Sequence, residues 1–141
     1  MNGEAIQNFD TAIVGLGFHH FHNPAHALHV LKSTVKPTGG VVGIVDFLPF
    51  PAAPAQGHHH HKHADQAKSE NSENDNAFPK EATPTIKTHG FSEGDMKRLF
   101  AEAGFVEFEF RRMEGEVEMF VGSEERRVVR SVFVGRGVRR E

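Results

Sequence analysis

The chain carries two short, unbroken apolar runs, Thr11-Ala12-Ile13-Val14-Gly15-Leu16 and Val41-Val42-Gly43-Ile44-Val45, with one helix-length segment between them. Neither run alternates as a strand with one wet face does, so each reads as a strand buried on both faces, as in a parallel sheet. The segment between opens on Asn23 as cap and Pro24 at the first helical position, then repeats Ala27, Leu28, Leu31 and Val35 at helical spacing. Lys36-Pro37-Thr38-Gly39-Gly40 stops that helix, and Asp46 ends the second run. Strand, helix and parallel strand make a βαβ unit, whose crossover is right-handed.

Three regions follow from composition. Residues 1–50 hold the βαβ unit of the core. Residues 51–88 carry four prolines, the run His58-His59-His60-His61-Lys62-His63 and a polar Ser/Glu/Asn/Asp stretch, and read as a flexible His/Pro-rich insertion that cannot bury enough surface to order itself. Residues 89–141 return to regular patterning and complete the same domain with a helix and an antiparallel hairpin. Ser92 caps a helix to about Ala103, with Met96, Leu99 and Phe100 on one face, Asp95 near its N-terminal end and Gly104 as terminator. From Phe105 to Arg111 the chain alternates, Val106, Phe108 and Phe110 on one face and Glu107 and Glu109 on the other. Gly115 marks a kink before Val117-Glu118-Met119-Phe120-Val121. Glu124-Glu125-Arg126-Arg127 suits a solvated turn, and a last strand follows from Ser131 to Val138, antiparallel to the one before it.

The 141 residues suffice for one compact domain. A net charge of −3 gives no support for a nucleic-acid surface, although the 11 histidines can reverse its sign in mild acid. The absence of cysteine excludes disulfides and thiolate metal sites. Residues 1–10 lack the pattern of a signal peptide, and no apolar run approaches the roughly 20 residues that span a bilayer. The expectation is a soluble intracellular protein, cytoplasmic or nuclear, with a small-molecule substrate and no nucleic-acid or membrane partner.

Four pieces in order carry a family resemblance. Phe9-Asp10-Thr11-Ala12-Ile13-Val14 followed by Phe18-His19-His20-Phe21 resembles the fourth strand of class I S-adenosylmethionine-dependent methyltransferases and the turn after it. The stretch 31–46 is similar to that family's helix, Lys-Pro-Gly-Gly turn and fifth strand. The stretch 89–105 resembles the last helix and the lead into the sixth strand, and 132–138 resembles the seventh, which inserts antiparallel between the fifth and sixth. The resemblance implies an α/β fold: a Rossmann-like three-layer sandwich, present as its C-terminal half, with strands in the order four, five, seven, six. It also implies methyl transfer to a small-molecule O or N acceptor.

In that family the cofactor site lies on the first two strands, as a Gly-rich loop and an acidic residue, and neither strand precedes Phe9 here. The chain alone is therefore expected to bind S-adenosylmethionine poorly, holding it only when the missing N-terminal half is supplied. Leu16, Gly17 and Phe18 are the residual cofactor flank. His20 is the candidate catalytic base, because imidazole takes a proton near neutral pH, and His19, Phe21 and Asp46 are the candidate substrate contacts. The fourth strand is left with an apolar edge, open to self-association or a protein partner. The rival reading is accordingly a non-catalytic interaction module or truncated pseudoenzyme.

Two further motifs are weaker. Gly15-Leu16-Gly17 with Asp46 imitates a dinucleotide fingerprint, but the third glycine is absent and the helix starts only near Pro24. His22, His26 and His29 are spaced to share a helix face, yet without a matching carboxylate they read as solvated. No metal site is expected; His58, His59, His60, His61 and His63 would bind metal adventitiously at most.

Overall fold

The two apolar runs become neighbouring parallel strands, β1 (Thr11–Gly15) and β2 (Thr38–Phe47), with Thr11 opposite Val41 and Gly15 opposite Val45. A computed structural model describes residues 7–51, 85–122 and 125–141. Between the strands lie a single 3-10 turn (Phe18–His20) and α1 (Pro24–Thr34). The Asn23 side chain accepts the His26 N–H at 2.9 Å, as the cap position requires. β2 begins three residues before the apolar run, because its far edge pairs out to Arg140 opposite Thr38 across a bulge.

After the undescribed stretch come α2 (Glu93–Glu102), β3 (Phe105–Arg112), β4 (Val117–Val121), β5 (Arg126–Arg130) and β6 (Val132–Arg140). α2 starts with a reciprocal capping box: Ser92 Oγ accepts the Asp95 N–H at 3.1 Å and Asp95 Oδ2 accepts the Ser92 N–H at 3.0 Å. Gly104 ends it at φ +76°, a conformation that costs glycine little. The main sheet runs β1-β2-β6-β3, with β6 antiparallel to both neighbours. β4 and β5 form a separate two-stranded hairpin.

Leu28 of α1 and Met96, Leu99 and Phe100 of α2 are buried in one core with Val42, Ile44 and Phe133 of the sheet. Each such side chain contributes about 1.5–3 kcal/mol of burial. The two helices also touch each other, so the described residues form the sheet and one helical layer. The Gly135-Arg136-Gly137 pattern in β6 follows from this packing. A Cβ at Gly137 would lie 2.6 Å from Phe100 Cδ1, so α2 seats only over a strand bare at that point. Arg136, on the opposite face, pairs with Glu109 at 2.6 Å.

Beside that pair the opposite face carries apolar side chains that stay open among the described residues. Ile13 is 67% exposed, and Val134 is also exposed. A second, smaller core of Phe47, Phe50, Ile86 and Val132, with Met119 against it, ties the hairpin to the end of β2.

Two local expectations are corrected. Glu107 takes φ +52° and the β3–β6 register shifts between Val106 and Glu109, so Phe105, not Val106, joins Phe108 and Phe110 against the helices. Arg126 and Arg127 belong to a strand, not a turn. β4 therefore pairs with β5, and β6 lies between β2 and β3. Val128 and Arg130 are buried, while Arg127 stays exposed and pairs with Glu118 across the hairpin.

Candidate functional site

Ligands of open α/β sheets bind beyond the carboxyl ends of the parallel strands, which here is the edge formed by Leu16 and Leu48. Leu16 leaves β1 at φ +50°, its N–H still bonded to Val45 O at 2.7 Å. The chain then tightens into the 3-10 turn, with His20 N–H donating to Gly17 O at 3.1 Å and Phe21 N–H to Phe18 O at 3.1 Å. No α-helix opens on the Gly15–Gly17 segment.

The turn sends successive side chains in different directions. Phe18 is fully buried, its ring against Phe21 and Phe91, and so packs the core. His19 is 3% exposed and meets Asp46, which is 0% exposed. Asp46 Oδ1 lies 2.7 Å from His19 Nδ1 and accepts the Phe47 N–H at 2.7 Å, while Oδ2 accepts the His19 N–H at 2.9 Å. A carboxylate only accepts, so the proton of a neutral His19 ring sits on Nδ1 and the lone pair on Nε2. The His19 carbonyl accepts the Lys87 and Thr88 N–H groups at 2.9 and 3.1 Å, which stitches the turn to the segment before α2.

His20 and Phe21 face outward. His20 Nδ1 lies 2.7 Å from the Thr85 carbonyl oxygen. That oxygen also only accepts, so Nδ1 carries the proton and Nε2 holds the lone pair. The His19 and His20 rings are 4.1 Å apart between centroids, and His19 is flanked by Phe47 and Phe50 at 5.2 and 6.3 Å. The fold thus brings residues 16–21 and Asp46 to one edge, with one imidazole locked inward and one open. His58, His59, His60, His61 and His63 lie outside the described residues. Among the described residues, no three His, Asp or Glu side chains converge on a point that could hold a metal.

Phe50 connects this edge to a buried arginine that sequence reasoning missed. Arg130, 2% exposed, stacks its guanidinium 4.6 Å from the Phe50 ring centre and donates to Val129 O at 2.8 Å. Burial pulls its pKa below the usual guanidinium value. The available signal was the Val128-Val129 pair, apolar in the midst of charge.

Two parallel strands, a helix crossover and a last strand inserted antiparallel beside the second define the carboxyl-terminal part of the class I methyltransferase fold. Solved structures bear this out. The chain matches an S-adenosylmethionine-dependent methyltransferase from Thermotoga maritima at TM-score 0.52 and 17% identity, over 95% of this chain and 57% of that one. It matches a candidate methyltransferase from Bacillus halodurans C-125 at TM-score 0.57 and 15% identity, over 100% and 74%. Phosphoethanolamine N-methyltransferase 2 of Haemonchus contortus, in complex with S-adenosyl-L-methionine, matches at TM-score 0.54 and 10% identity, over 94% and 34%. The chain therefore spans little more than half of the Thermotoga protein. No family sequence model matches it, and no curated protein matches it in sequence. No helix among the described residues is long and apolar enough to cross a membrane.

Proposed function

We propose that this chain supplies the acceptor side of an S-adenosylmethionine-dependent methyltransferase acting on an oxygen or nitrogen of a small molecule. The observation that carries the reading is the pair of oriented imidazoles at the carboxyl edge of β1 and β2. Asp46 and the 87–88 segment hold His19, and with it the turn. The turn in turn presents His20 outward with its lone pair on Nε2. His20 Nε2 is then placed to take the proton of an acceptor hydroxyl or amine, His19 and Asp46 act as positioning residues, and Phe21 offers an apolar wall.

Among the described residues, those at this edge do not make a complete site for the cofactor. Both oxygens of Asp46 are engaged by His19 and Phe47, and Phe18 is within the core, which leaves Leu16 and Gly17 to flank it. The reading accordingly needs the N-terminal half of the fold from another segment. A chimera joining the first half of the Thermotoga protein to this chain tests it, with cofactor binding as the check on assembly. Labelled methyl transfer to a panel of small phenols and amines, abolished by His20→Ala, is the expected result. A chimera that binds cofactor and methylates nothing, or a His20→Ala variant of full activity, would refute it. Micromolar binding of S-adenosylhomocysteine by the chain alone would refute the need for a second segment.

A second reading rests on the sheet edge. β1 pairs only with β2 among the described residues, and Ile13 and Phe9 beside it are exposed. Strand addition at that edge would make the chain an interaction module. A concentration-dependent dimer that Ile13→Lys dissolves would favour it.

A further inference from the structure

The turn after β1 leaves two imidazole nitrogens side by side without a hydrogen-bond partner among the described residues. His20 faces outward, and holding its Nδ1 at 2.7 Å from Thr85 O leaves Nε2 open. His19 is only 3% exposed, but its Nε2 is not sealed from solvent, so the residue's small opening lies at that atom. The two ring centres are 4.1 Å apart. We propose that these two lone pairs cradle the N–H groups of a primary amine, which makes an amine rather than an alcohol the acceptor class. The inference rests on the methyl-transfer reading for the role of the site and adds the chemistry of the substrate.

Both neutral imidazoles carry their proton on Nδ1, so each Nε2 can only accept. Behind each ring stands the oxygen that fixes it, the buried Asp46 carboxylate for His19 and the Thr85 main chain for His20. A chain of hydrogen bonds polarises its members, so the Asp46 carboxylate strengthens His19 Nε2 as an acceptor. A ligand suited to this edge therefore brings two donors close together. One tetrahedral nitrogen does so. Two acceptors lying about 2.9 Å along its N–H bonds are about 4.7 Å apart, comparable with the spacing of the rings. In a neutral amine held this way the nitrogen lone pair faces away from both imidazoles, as an attacking nitrogen needs.

Other ligands match the pair less well. A hydroxyl has one O–H, so it satisfies one nitrogen and leaves the other to water. A quaternary ammonium brings charge but no donor. An open zinc site takes three protein ligands, and among the described residues no third His, Asp or Glu converges here. Carboxylates and phosphates bring acceptors to acceptors.

The test is an NMR titration of the isotope-labelled full chain, without methyl donor, that follows the imidazole nitrogens of His19 and His20. Benzylamine, benzyl alcohol and benzyltrimethylammonium share one body and differ in the head group. The pH is held at about 8, above the ordinary imidazole value. The expected result is saturable benzylamine binding that shifts both Nε2 resonances, with each of the other two about tenfold weaker. His20→Phe keeps a ring against His19 but removes one acceptor, and should weaken benzylamine about tenfold. His20 is exposed, so the amide spectrum of the variant should show the fold retained. Benzyl alcohol binding as tightly would reduce the edge to a wall for the aromatic body and overturn the proposal. The quaternary ion binding as tightly would show recognition of charge alone and also overturn it. So would a response at one Nε2 only, a His20→Phe variant of unchanged affinity, or no saturable binding by the parent chain. Any of these would leave methyl transfer to an oxygen acceptor standing, which the chimera tests separately.

Discussion

Replacing Asp46 with alanine should strongly destabilise the chain. The carboxylate is fully buried and accepts from three donors: His19 N–H, His19 Nδ1–H and Phe47 N–H. Alanine leaves all three without that acceptor, and removing one partner of a buried pair costs about 3–5 kcal/mol. Domains have about 5–15 kcal/mol in total, so this is a large share. Asp46→Asn separates the contributions. Its amide oxygen can replace Oδ1 and keep two donors, but its NH2 then faces the His19 N–H. The cost should fall to about 1–3 kcal/mol. Urea unfolding followed by far-ultraviolet circular dichroism measures both, at neutral pH and with matched slopes. A loss under about 1 kcal/mol for Asp46→Ala would mean that the three donors find other acceptors, and that Asp46 does not organise the turn.

Three other outcomes are expected. Gly137→Ala should lower stability by about 1–3 kcal/mol in a thermal melt, because the new methyl falls on the Phe100 ring and on Phe105 Cβ; an unchanged melt would show that α2 can lift away. Ser92→Ala should cost about 1 kcal/mol at neutral pH through loss of the capping box. The Ser92 hydroxyl is the main reason that the Asp95 carboxyl titrates below its ordinary value, followed by the Ser92 main-chain N–H. A depressed carboxyl stabilises above its unfolded pKa of about 3.9 and stops doing so as pH falls through its folded value, so the gap between parent and Ser92→Ala should narrow in that acid window and stay constant above it. Ile13→Lys, at a position 67% exposed, should change stability by no more than about 0.5 kcal/mol while reducing light scattering at high concentration; equal scattering would mean that β1 is not the sticky edge.

The elements that sequence reading recovered are those whose signal is local. Asn23-Pro24 and Ser92 with Asp95 announce helix starts through hydrogen bonds within one turn, and both caps are formed. The two apolar runs announce strands because no polar residue interrupts them, but the expected burial on both faces holds for β2 alone: β1 has no fully buried residue, and Ile13 is 67% exposed. The placement of β6 between β2 and β3 came from family resemblance, since nothing in 132–138 states which strands it will join. What stayed hidden depends on partners distant in sequence. Glu107 enters the left-handed region to shift register against β6, and a glutamate gives no local hint of that. Arg126 and Arg127 read as part of a solvated turn until β4 arrives to pair with them. The candidate site was legible as a cluster, residues 16–21 with Asp46, but the direction of each imidazole was not. Adjacent histidines have the same propensities, and the 3-10 turn alone decides that one meets Asp46 and the other Thr85.

The position of β6 has a further consequence for how this protein is made. Its nine residues leave the ribosome after both of the strands they pair with, yet they form an interior strand of the sheet, bonded on one side to β2 and on the other to β3. Val132 pairs with Phe47 and Arg140 with Thr38, contacts that span most of the chain. Such long closures fold slowly, and until β6 arrives β2 and β3 both offer unpaired edges to any neighbouring chain. A premature stop before Val132 would therefore remove the hinge pin of the sheet rather than a tail. Released nascent chains, more than mature ones, are where loss and aggregation of this protein should concentrate.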